Sequence, residues 1–121
     1  MIDHTGVNVS NVEASKRFYR VALAPLGYAV IMEFEQAAGF GVPPKPDFWI
    51  GQGKPNVPQI HVAFRAETRA QVDAFFKAAL AAGGKDNGAP GLRPHYHENY
   101  YAAFVLDPDG HNIEAVCHTP A

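Results

Sequence analysis

The sequence predicts an α+β fold built from two tandem β-α-β-β-β units, and three observations carry that prediction. The chain matches itself at a fixed offset of 57 residues, without a gap from position 4 to position 27. His4 falls on His61, Phe18 on Phe75, Tyr19 on Phe76, Ala22 on Ala79, Leu23 on Leu80 and Gly27 on Gly84; a self-match at one period marks a duplicated unit. Each copy places an amphipathic helical pattern after a short apolar strand. The chain then closes on Asp107-Pro108-Asp109-Gly110 between two strand-like runs, where proline presets φ, aspartate bonds nearby backbone and glycine accepts φ > 0, the chemistry of a hairpin turn.

Residues 2–9 read as a strand, with His4, Gly6 and Asn8 on one face and Thr5, Val7 and Val9 on the other. Ser10-Asn11-Val12-Glu13 has the spacing of a capping box. The helix it opens runs to about Leu23, with Val12, Tyr19 and Leu23, and Ser15, Phe18 and Ala22, on adjoining rows; Pro25 and Gly27 stop it. Strands follow at 28–34, 39–42 and 47–50, the last two separated by Pro43-Pro44-Lys45-Pro46. The first unit spans about 1–52 and the stretch 53–58 is a linker; the second unit spans about 59–118, all within a single domain. In that second unit, 60–65 is a strand and Thr68-Arg69-Ala70-Gln71 a second capping box. Val72, Phe75, Phe76, Ala79 and Leu80 then recur at i, i+3, i+4, i+7 and i+8, the core stripe of a helix that Gly83-Gly84 ends. Residues 85–99 give mixed signals and read as a loop; 100–106 and 112–118 form the closing hairpin.

Composition narrows the function classes. At 121 residues, 47% apolar and 18% charged, the chain is long enough for one real core and reads as a soluble globular protein. A formal charge of −2 gives no basic footprint for nucleic acid or a membrane surface. Cys117 is the one cysteine, so no intramolecular disulfide forms, and its strand context predicts a buried, inert thiol suited to a reducing compartment. No apolar run reaches transmembrane length and the start lacks a basic-then-apolar signal, so a cytoplasmic protein is expected.

Each amphipathic helix must cover one face of its own sheet. His4 and His61 then share the opposite, free faces, because Val7 and Val9, and Val62 and Phe64, take the helix sides. Glu114 is a carboxylate inside an apolar strand. A buried carboxylate needs a partner such as a metal ion, whereas a strand glutamate facing water needs none; the residues alone leave both open. The segment from Arg93 to Tyr101 holds a cation, His95, His97 and three phenols. It reads either as a lid, with Arg93 holding an anionic group and His95, His97 or Tyr101 serving as acid or base, or as a polar loop with packed tyrosines. His111 falls in the hairpin turn and is expected to be solvated. Phe40 and Trp49 read as cavity or core aromatics, and Glu33 and Glu35 share a strand face.

His4 opening the first strand, Ser15-Lys16-Arg17-Phe18-Tyr19 in the first helix, Leu26-Gly27-Tyr28 after it, His61 opening the second unit, and Asp107-Pro108-Asp109-Gly110 with Ile113-Glu114 at the end together resemble the vicinal oxygen chelate superfamily of glyoxalases, bleomycin-resistance proteins and extradiol dioxygenases. The resemblance spans essentially the whole chain. It implies curled mixed sheets around a central cleft, helices outside, and a divalent metal (Fe, Mn, Zn, Ni or Co) held by His4, His61 and Glu114. It implies an enzyme, a lyase/isomerase or ring-cleaving dioxygenase, acting on a small oxygenated molecule, with metal-free drug binding as the alternative, and a homodimer in which some members share the metal site. Glyoxalase I has a fourth ligand on the last strand of the first unit; here Trp49 stands opposite Glu114 in the repeat, and an indole cannot serve as that carboxylate.

Overall fold

The computed structural model describes residues 1–121. The first unit comprises β1 (Thr5–Val9), α1 (Val12–Leu23), a 3-10 turn (Ala24–Leu26), β2 (Ala29–Phe34), β3 (Ala37–Gly41) and β4 (Phe48–Gln52). The second comprises β5 (His61–Arg65), α2 (Arg69–Ala81), β6 (Lys85–Leu92), β7 (Tyr101–Leu106) and β8 (Asn112–Cys117). Each unit forms a four-stranded sheet, in the orders β1-β4-β3-β2 and β5-β8-β7-β6. In both, the first strand pairs parallel with the last and the other pairs are antiparallel. The duplication holds at the level of register: Gly6 lies opposite Trp49, and Ala63, its counterpart in the repeat, lies opposite Glu114.

The helices cover one face of each sheet because their apolar rows have nowhere else to go. Val12, Ser15, Phe18, Tyr19, Ala22 and Leu23 are the buried residues of α1, and Val72, Phe75 and Ala79 those of α2. The edge-to-face pairs Tyr19–Phe48, at 5.0 Å, and Phe48–Phe64, at 5.1 Å, carry the core from the first unit into the second. Such pairs contribute about 0.5–1.5 kcal/mol beyond area burial. Cys117 is buried, as its strand context predicts.

Three local expectations are corrected. The N-cap of α1 is Asn11, whose side chain accepts from the Ala14 amide; Ser10 instead gives its amide to Asp109. Asparagine caps as well as serine, so the two adjacent candidates compete; the Thr68–Gln71 capping box of α2 does form. The stretch expected to be loop contains β6, whose pairing to β7 shifts register between Asp86 and Gly88 and again between Gly88 and Gly91. Those irregularities, with Pro90 among them, erase the period-2 signal. His111 is fully buried, not solvated: its Nδ1 accepts from the Ile60 amide at 3.1 Å and its Nε2 donates to the Asn8 carbonyl at 3.3 Å.

That histidine belongs to a clasp built from the Asp-Pro-Asp-Gly turn. Gly110, at φ 86°, donates to the Asp107 carbonyl and closes the turn. The buried Asp107 carboxylate accepts from the amides of Asp109 and His111, each at 2.9 Å, and from the Tyr19 hydroxyl at 2.5 Å. Asp109 accepts from Ser10 at 3.1 Å. One turn of the second unit is thus bonded to α1, to β1 and to the residue that follows β1. Burial, and then the facing Asp107 charge, hold the Tyr19 phenol well above its ordinary pKa.

Candidate functional site

Alternation along β5, β7 and β8 decides what the open face of the second sheet carries. Ala63 pairs with Glu114 and Glu114 with Phe104, so His61, Glu114 and Phe104 share one face, away from the helices. Glu114 is 1% exposed, and its carboxylate has two partners. His61 Nε2 lies 2.7 Å from Oε1, and the Tyr100 hydroxyl donates to Oε2. The imidazole itself stays half-exposed, at 52%. Burial first, and then the hydrogen bond to Glu114, raise the Tyr100 pKa.

Two donor atoms of different chemistry therefore converge, a half-exposed imidazole nitrogen and a buried carboxylate oxygen. At 2.7 Å the two are hydrogen-bonded; ligands about 2.0–2.2 Å from one ion stand about 3 Å or more apart, so the pair would open slightly to take an ion. A third donor is lacking within the chain: no group of three or more His, Cys, Asp or Glu side chains is arranged to hold an ion. His4 sits just before β1, half-exposed, with Nδ1 2.7 Å from Asp3, which also pairs with Lys45. These two neighbours pull the Asp3 pKa below its ordinary value, the His4 hydrogen bond most strongly. The residues thus bring together two of the three expected ligands in one chain.

On the first sheet, Trp49 occupies the place that Glu114 has on the second. Its indole lies across Gly39, where a Cβ would come within 2.9 Å of the ring, and stacks on Phe34 at 6.3 Å. Phe34 and Met32 remain exposed beside it. Phe40 is core, and Glu33 pairs with Lys16 and Arg20. A cleft of about 370 Å³ runs between the start of β1 and β5, lined by Asp3, Tyr28, Asp47, His61, Phe64 and Arg65 among others.

The segment before β7 is placed differently from its sequence assignment. Tyr101 does not meet Glu114: its hydroxyl donates to Asp73 of α2 at 2.6 Å, and Arg69 lies over its ring. The Asp73 bond raises its pKa. Tyr100, on the opposite parity, is the phenol that reaches the site. Register explains the swap: Phe104 faces Glu114, so Tyr100, Ala102 and Phe104 share its side while Tyr101 and Ala103 take the other. The five residues between the paired Leu106 and Asn112 would have supplied that register. His97 packs on His118, and His118 packs on Tyr100 at 5.2 Å, so this histidine stands behind the phenol, not at the carboxylate. Arg93 lies over Phe104, at 5.4 Å from the ring centre.

The fold and the paired units agree with comparisons to known proteins. A family model described as the Glyoxalase/Bleomycin resistance protein/Dioxygenase superfamily matches residues 1–115. A solved glyoxalase/bleomycin resistance protein from Albidiferax ferrireducens T118 is 28% identical, with a TM-score of 0.77 and 98% of each chain covered. A glyoxalase/bleomycin resistance protein/dioxygenase family enzyme from Burkholderia phytofirmans PsJN shares the fold at 18% identity, TM-score 0.75 and 98% coverage of both chains. Lactoylglutathione lyase from Agrobacterium tumefaciens does so at 18% identity and TM-score 0.73, covering 97% of this chain and 92% of that one. No curated protein matches in sequence. The chain belongs to the glyoxalase/bleomycin resistance protein/dioxygenase superfamily.

Proposed function

We propose that this chain is a metal-dependent enzyme of its superfamily, a lyase/isomerase or a dioxygenase, acting on a small oxygenated molecule at the open face of the second sheet. The observation that carries this is the convergence of His61 Nε2 and Glu114 Oε1 at 2.7 Å, on a carboxylate only 1% exposed. Burying a charge is costly unless it is paired, and the His61 imidazole bonded to it is half-exposed. His61 and Glu114 would hold the ion. His4 of a second copy would complete the set, since no third ligand stands within one chain. The exposed Met32 and Phe34, with the half-buried Trp49 stacked on Phe34, are consistent with cover of the first sheet by that second copy.

A divalent ion so held supplies Lewis-acid chemistry to two neighbouring oxygens of a substrate. Tyr100 holds the Glu114 carboxylate in one orientation through its donated hydrogen bond. Elemental analysis of untagged protein tests the proposal. The wild type is expected to carry near-stoichiometric Fe, Mn, Zn, Ni or Co, and Glu114→Ala to lose it. Absence of metal from both, even after reconstitution, would sink the proposal.

One observation favours a second reading. The Glu114 carboxylate is already satisfied on both oxygens, by His61 and Tyr100, and His4 is engaged with Asp3. A metal-free binding protein would need no more. Ligand affinity unchanged by chelator and by His61→Ala would select that reading.

A further inference from the structure

The face that carries His61 and Glu114 also carries one fixed cation, and β6 is shaped around it. The strand leaves regular pairing at Gly88 and Gly91. A Cβ at Gly88 would stand 3.3 Å from Arg93 Nη2 and 2.9 Å from the Phe104 ring; one at Gly91 would stand 3.2 Å from Arg93 Nη1. Gly88 also adopts φ 150°, which side chains disfavour. In the room these glycines leave, Arg93 Nη1 donates to the Gly91 carbonyl at 2.7 Å and Nη2 to the Ala89 carbonyl at 2.8 Å. The guanidinium is thereby held over the Phe104 ring, a favourable place for a cation.

Nothing neutralises this charge. The ion pairs of the chain join other residues, and no carboxylate lies within pairing distance of Arg93. Two of its N–H groups are used on carbonyls, which leaves donors of the planar fork free for an anion. The Phe104 ring lies between two functional groups: its centre is 5.4 Å from the guanidinium carbon and 6.2 Å from the His61 ring centre. A small planar molecule lying along this face, beside Phe104 and between the guanidinium and the imidazole, would reach both.

We propose that Arg93 is the specificity-determining residue of this face: it takes the carboxylate of a small planar substrate whose other end reaches the exposed His61 beside Phe104. This rests on the use of that face for substrate, and is independent of whether a metal is bound. A purely structural arginine, pinning the irregular β6 through two carbonyls, would give no preference for anions.

Benzoate and benzamide have nearly the same shape and differ in charge, which makes them the probes. Each is titrated into chelator-treated, metal-free protein and followed by amide NMR. Benzoate is expected to bind saturably, shifting the amides of Gly88, Gly91 and Phe104, and about tenfold or more tighter than benzamide, the loss that one charge-assisted hydrogen bond removes. Arg93→Gln should erase that difference by weakening benzoate alone. Equal binding of the two probes, no saturable benzoate binding at millimolar concentration, or unchanged benzoate affinity in Arg93→Gln overturns the proposal. Should Arg93→Gln fail to fold, the wild-type contrast decides, with Arg93→Lys as the variant expected to keep anion preference at reduced affinity. Failure of the metal reading leaves this result untouched, because the metal is removed beforehand.

Discussion

Glu114 could be singled out in the sequence because a carboxylate in the run Ile113-Glu114-Ala115-Val116 violates the pattern around it. Its burial and its imidazole partner emerge only in the structure, where β5 pairs parallel with β8 and sets His61 and Glu114 on one face. Tyr100 could be chosen over Tyr101 only through the register set by the five residues between Leu106 and Asn112, since two adjacent phenols at a strand start differ only in which face they take. The phenol's task makes a quantitative prediction. Tyr100→Phe removes the donor that orients Glu114 but leaves the ligand itself, so metal affinity should fall by about 10–100-fold without vanishing. Competition titration with a chelating indicator reads this out, and an unchanged affinity would remove Tyr100 from the site.

At the scale of elements, the helices were legible because their apolar rows repeat over a dozen residues. The β6 strand was not, because Gly88, Pro90 and Gly91 interrupt its alternation. The Asp-Pro-Asp-Gly turn was legible as a turn but not as a clasp, since its partners Tyr19, Ser10, Asn8 and Ile60 are remote in sequence. His111→Ala leaves the Ile60 amide and the Asn8 carbonyl without that partner and opens a void. A loss of about 2–4 kcal/mol in urea unfolding is expected; a loss within experimental error would show that the clasp is idle. Tyr19 adds a pH dependence. Its raised folded pKa means that the folded chain keeps a proton the unfolded one releases. The resulting stability is fully present below the unfolded value of 10.0 and is lost as pH rises above it, by about 1.4 kcal/mol per pH unit. Tyr19→Phe should be less stable than wild type at pH 8, and the gap should narrow between about pH 10 and 11 in paired urea melts; a constant gap contradicts the buried, Asp107-bonded phenol.

At the scale of the whole molecule, duplication at an offset of 57 created two equivalent open faces, and the sequence then made them different. One has Glu114 with His61, the other Trp49 stacked on Phe34. The pairing of units within the chain was readable from the repeat. Which histidine meets which carboxylate was not, because His4 and Glu114 are joined by no local pattern and do not meet within one chain. The most direct measurement is therefore complementation of metal binding. His4→Ala and His61→Ala proteins are prepared separately, mixed under conditions of subunit exchange, and assayed for bound metal against each alone. Shared sites predict little metal in either variant and recovery on mixing to about one site per four chains, because each mixed dimer regains one intact pair. Metal binding that stays absent on mixing, or a His4→Ala protein that binds metal as well as wild type, would contradict a site built from His61 and Glu114 of one copy and His4 of the other.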